Sequence, residues 1–128
     1  MFELSQSFHF DAAHSLRRNA ADVGANEVMG SRRMHGHSYR AEVTLRGEAD
    51  PATGMLLDLG VLRAAIATLR ERLDHHNLDE VEGLGAPTME NLCLFIHREL
   101  AQLPGLAAVS VARDSSGDRC VYEPTRSR

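Results

Sequence analysis

A chain of 128 residues with 43% hydrophobic and 25% charged side chains has the length and composition of one globular domain, which excludes a disordered or collagen-like polymer. Its 14 basic residues are all arginine and face 18 acidic ones, so the net charge of −4 carries no electrostatic footprint for nucleic acid or an anionic membrane surface, and chemistry that needs a lysine amine is excluded. The opening MFELSQSFHFDAAH lacks the basic and unbroken apolar regions of a secretory signal, no run reaches the ~20 apolar residues of a membrane span, and Cys93 and Cys120 have no CxxC spacing; a cytoplasmic protein with two reduced thiols is expected.

From Phe2 to His14 the apolar residues Phe2, Leu4, Phe8, Phe10 and Ala12 share one parity, the period of a half-buried strand, and His14 continues it inward. Residues Arg17 to Met34 are polar, punctuated by glycine and without apolar period, and read as a long functional loop. His35 to Glu48 alternates again, with His35, His37, Tyr39, Ala41, Val43 and Leu45 on one face of a second, antiparallel strand. Turn residues Asp50 to Gly54 precede a helical stripe of Leu62, Ile66, Leu69 and Leu73 that ends near Asp74-His75-His76.

A glycine-rich connector leads to Thr88, an N-cap residue, and to a second stripe of Met89, Leu92, Cys93, Ile96, Leu100 and Leu103 that Pro104-Gly105 ends. Ala107 to Ala112 and Cys120 to Tyr122 form a closing hairpin around Asp114 to Asp118. The order ββααββ predicts an α+β domain spanning residues 1–128, a four-stranded antiparallel sheet with both helices on one face.

Seven histidines are the compositional signal. His35-Gly36-His37 puts two imidazoles on one face of a strand, close enough to share a zinc ion at ~2.0–2.1 Å, and His14 on the neighbouring strand supplies a third. Three such ligands leave one tetrahedral position open, the pattern of a catalytic zinc site and not of a closed structural one. Asp74-His75 pairs a carboxylate with an imidazole, suited to proton transfer or, equally, to a solvated helix end. Thr88 and Glu90 either meet a ligand or simply cap and complement the second helix.

Taken together, Phe8-His9-Phe10-Asp11-Ala12-Ala13-His14, His35-Gly36-His37-Ser38-Tyr39, Gly54-Met55-Leu56-Leu57-Asp58, Leu73-Asp74-His75-His76 and Pro87-Thr88-x-Glu90-Asn91 resemble the 6-pyruvoyl-tetrahydropterin synthase and 6-carboxytetrahydropterin synthase family. The resemblance implies the tunnelling fold, in which subunits assemble into barrels, commonly a homohexamer with each active site at a subunit interface. It implies zinc on His14, His35 and His37, acid–base work by Asp74 and His75, and a substrate such as dihydroneopterin triphosphate. The implied reaction is proton abstraction from the substrate side chain, then elimination of triphosphate or carbon–carbon cleavage.

Two positions depart from that pattern. The family's catalytic cysteine lies four residues before the HGH motif, where this chain has Ser31, a weaker proton acceptor than a thiol poised near neutral pH. In the closing hairpin, where the family carries a glutamate that accepts from the pterin, an ungapped count places Arg113, with Asp114 next. Arginine only donates, so an acceptor-rich or carboxylate-bearing ligand suits it better, while Asp114 reaches the same face only if the strand is bulged. An aldolase-like enzyme acting on dihydroneopterin-type side chains and a catalytically silent binder of a pterin or other heterocycle are the alternatives.

Overall fold

The computed structural model describes residues 1–16 and 23–124, with Ser31 described by its backbone alone. In chain order the elements are β1 (Phe2–His14), α1 (Ala25–Arg32), β2 (His35–Gly47), α2 (Leu59–Glu71), a 3-10 turn (Leu78–Glu80), α3 (Met89–Glu99), β3 (Leu106–Arg113) and β4 (Asp118–Tyr122). The strands make one antiparallel sheet in the order β1-β2-β3-β4, and the connection from β2 to β3 supplies α2 and α3. This is the expected α+β arrangement with one helix added.

The alternation in the sequence becomes a two-faced sheet. Phe8, Phe10, Ala12 and His14 of β1, Tyr39, Ala41, Val43 and Leu45 of β2, and Val109 and Val111 of β3 are buried on the face that Leu62, Ile66 and Leu69 of α2 and Leu92, Cys93 and Ile96 of α3 cover. Burying each large apolar side chain contributes roughly 1.5–3 kcal/mol, enough to hold both helices against the sheet. Both helices begin on capping side chains: Gly60 N–H donates to Asp58 Oδ1 at 2.7 Å, and Asn91 N–H to Thr88 Oγ1 at 3.2 Å.

Three local expectations are corrected. The stretch read as a loop from Arg17 to Met34 has residues 17–22 outside the described region, but Ala25–Arg32 is helix α1. This segment carries no helical signal because Val28 is its one buried apolar side chain among the described residues and its N-cap, Gly24, has no side chain to accept a bond. Helix α2 ends at Glu71, and hydrogen-bonded turns carry the chain to His75, whose φ of +59° stops any helical continuation. Phe2, on the inward parity, is 60% exposed and lines an apolar groove with Leu4, Met55 and Leu56 at the far end of β1.

The path of the chain after α2 places the second group of candidate residues. His75 N–H donates to Asp11 O at 2.7 Å, Ala13 N–H donates to His76 O at 3.1 Å, and Asn77 forms a parallel bridge to Ala13. Residues 75–77 therefore run along the outer edge of β1 at its His14 end.

Candidate metal centre and its neighbours

The β1–β2 register builds the histidine trio. His14 lies directly opposite His35 and Ala12 directly opposite His37, so the three rings share the inward face, with a small side chain in the fourth place. Ring centroids are 4.4 Å apart for His14 and His35 and 5.0 Å for each of the other two pairs.

The ring nitrogens are already sorted. His14 Nδ1 donates to Ser15 O at 3.2 Å and His35 Nδ1 to Arg33 O at 2.9 Å, which leaves both Nε2 lone pairs free. His14 is 2% exposed and its Nε2 is buried with no hydrogen-bond partner, a costly state for a polar atom unless a cation takes it. One nitrogen from each ring falls within 4.8 Å of the others. Burial lowers the His14 pKa, and burial with the Arg113 charge next lowers that of His37 to about 4, so both rings are neutral near pH 7, the form that binds a metal. The three residues fit a zinc ion by donor type, tautomer and convergence. Ser15 in turn donates from N–H and Oγ to Asp79 Oδ2 at 3.0 and 2.9 Å, pinning the strand end that carries His14.

Asp74 and His75 form a second group, and His75 lines a surface cavity that His37 also borders. Asp74 accepts from Asp11 N–H at 2.9 Å and pairs with Arg70 at 3.1 Å, while His75 Nε2 is 3.7 Å from Asp74 Oδ2, within ion-pair range but beyond a hydrogen bond. The His75 side chain is 78% exposed. Among the described residues these two group with Asp11, apart from the trio. Thr88 spends its hydroxyl on the α3 cap and Glu90 is exposed in the first turn of that helix. Ser31 lies on α1, and its side chain is outside the described residues.

The choice between Arg113 and Asp114 is decided by an unbulged hairpin. Arg113 pairs with Asp118 in regular register across a four-residue turn, and its guanidinium turns inward with Nη1 3.3 Å from His37 Nε2 and Nη2 2.8 Å from Asp118 Oδ2. Asp114 is exposed and forms a two-pronged pair with Arg40, both bonds at 3.1 Å. Tyr39, stacked on Phe10 at 4.9 Å, lies beside the same site, and burial pushes its hydroxyl up to about 12, so it stays protonated. Sequence reasoning missed Asp11, Asp79 and Asp118 as site neighbours. Asp11 stands inside the FHFDAAH motif, a signal that could have found it, but Asp79 and Asp118 meet partners that spacing does not reveal.

The model of the 6-pyruvoyl tetrahydropterin synthase family matches residues 3–125. The chain belongs to that family. It is 31% identical over 131 residues to a 6-carboxy-5,6,7,8-tetrahydropterin synthase of Synechocystis sp., covering 97% of this chain and 95% of the relative. It is 32% identical to the human 6-pyruvoyl tetrahydrobiopterin synthase over 109 residues, covering 79% of this chain and 75% of that one. The solved structure of the Caenorhabditis elegans 6-pyruvoyl tetrahydropterin synthase superposes with a TM-score of 0.78 at 25% identity, covering 97% and 96% of the two chains. These relatives are pterin synthases, and the four-stranded sheet with its helices is the fold that this chain shares with the solved one. Among the described residues no helix is long and apolar enough to cross a membrane.

Proposed function

We propose that the chain is a zinc-dependent pterin-converting lyase acting on dihydroneopterin triphosphate or a related compound, as a single domain over residues 1–128 in a cytoplasmic homo-oligomer, a hexamer by family resemblance. The observation that carries the reading is the free, buried Nε2 of His14 converging with the nitrogens of His35 and His37. Zinc held there would polarise an oxygen of the substrate side chain and make the adjacent C–H more acidic.

The chain's own residues supply the rest. The carbonyls of Ser15 and Arg33 hold two ligand rings in orientation, and the buried face around Phe10 and Tyr39 limits water. His75 takes a C–H proton from the substrate side chain and returns it at the neighbouring carbon or oxygen, with Asp74 in ion-pair range of its ring, before triphosphate leaves or a carbon–carbon bond breaks. The family resemblance, which implies an active site at each subunit interface, gives that role at a neighbouring subunit's site, and the 78% exposure of the His75 side chain supports it. Assembly is supported by the open edge of β4, by the β1 edge beyond the reach of residues 75–77, and by exposed Phe2, Met55 and Val61. Thr88 and Glu90 are carried as substrate-side residues by resemblance alone.

Serine at position 31 and arginine at 113 favour a second reading, a silent binder of a pterin or other heterocycle. Single-turnover incubation of zinc-loaded protein with dihydroneopterin triphosphate separates the two. Release of triphosphate or a side-chain fragment, abolished by His37→Ala, is the expected result; ligand recovered intact from zinc-loaded protein would overturn the lyase reading.

A further inference from the structure

The nitrogens of Arg113 are unequally used. Nη2 is tied to Asp118, whose carboxylate also accepts from Ser116 Oγ at 2.8 Å, so this end of the guanidinium is anchored across the hairpin. At the other end Nη1 donates to His37 Nε2 at 3.3 Å, and Nε is buried without a partner.

An imidazole nitrogen offers one lone pair. While His37 Nε2 accepts from Arg113, that lone pair is closed to a cation, and the nearby positive charge adds repulsion against a dication. Metal on the trio through this nitrogen therefore requires the guanidinium to leave His37. The guanidinium then has the Tyr39 hydroxyl as its nearby acceptor while Nε stays unpartnered, in a partly desolvated place next to the trio. These under-satisfied donors and the two positive charges, guanidinium and cation, are relieved together by one anionic oxygen.

We propose that Arg113 opposes metal entry by holding the lone pair of His37 and, once displaced, becomes the receptor for an anionic group of the ligand, a carboxylate or phosphate oxygen, at the position next to the metal. This rests on the metal-centre reading and names the ligand class for that centre. Arg113 thus makes metal binding weaker and anion binding tighter, two effects of opposite sign that loss of a merely structural side chain would not produce.

Cobalt(II) titrated into the metal-free full-length protein reads both effects through its visible absorption, with azide as the anion probe on the loaded protein. Arg113→Ala and Arg113→Gln should bind cobalt roughly tenfold or more tightly than wild type, the scale of changes next to metal ligands, and should bind azide roughly tenfold more weakly. If the alanine variant fails to fold by circular dichroism, the glutamine variant decides. Cobalt affinities no tighter than wild type, or unchanged azide affinity, overturn the proposal while leaving the metal centre standing. If neither wild type nor variants bind cobalt, the metal centre and the proposal fall together.

Discussion

The inward face at the His14 end of β1 and the outer edge of the same strand carry the two chemical clusters of this chain, and they are built in opposite ways. On the inward face, strand register and backbone carbonyls fix the rings of His14 and His35, and His14 is buried to 2% exposure. At the edge, Asp74 spends its carboxylate on the Asp11 N–H and on Arg70, and His75 projects into solvent. All three histidines of the trio come from one chain, and two of the three rings are held by carbonyls before any cation arrives. A proton-transferring group needs only to arrive, and an exposed histidine at a sheet edge is free to serve a site that a second chain completes.

Removing one cluster at a time tests whether the two serve the same chain. His37→Ala should lower zinc affinity by more than the ~10–100-fold typical of changes outside the ligand shell, measured by competition with a chelating indicator. His75→Ala should keep its zinc and lose about 10²–10⁴-fold in turnover. Mixed after co-refolding, the two inactive variants should regain activity at up to about a quarter of the wild-type sites by random assortment, because one subunit brings the metal and the other the base. No recovery in a mixed oligomer would place both clusters in the service of a single chain.

A smaller effect separates the clusters by pH. The folded pKa of His37 is lowered to about 4 from an ordinary 6.5, so below 6.5 the unfolded chain binds more protons than the native one. The stability that this histidine contributes to metal-free protein is present above 6.5 and lost as pH falls from 6.5 through about 4. Urea unfolding of metal-stripped wild type should therefore weaken more between pH 7 and pH 5 than that of His37→Gln. Equal losses in the two proteins would show that burial does not disfavour the charged ring.

Much of this was legible in the sequence because parity and register are the same information. The even positions of β1 and the odd positions of β2 named the buried face and the trio, and the stripes from Leu62 and from Leu92 named the packed helices. What was not legible depends on contacts that local patterning does not encode. Helix α1 presents no apolar stripe, and the bonds that set residues 74–77 along the outer edge of β1, to Asp11 and Ala13, join positions more than sixty residues apart. The inward turn of Arg113 depended on whether the β3–β4 hairpin was bulged, which spacing alone left open.

Thr88 gives the smallest effect and tests whether a motif residue is needed by the fold or by the ligand. Its hydroxyl accepts from Asn91 N–H at 3.2 Å, one of the donors that the first turn of α3 leaves without a helical partner. The Asn91 side chain also donates to Ala86 O at 2.9 Å, so the cap fixes the connector as well as the helix. Thr88→Ala should cost about 1 kcal/mol of unfolding free energy, and Thr88→Ser should restore most of it, because serine supplies the same acceptor. Zinc content should be unchanged in both. If Thr88→Ala instead leaves stability intact and raises KM for the pterin, with serine rescuing KM, the hydroxyl serves the substrate, and the cap bond is incidental to why this position carries threonine.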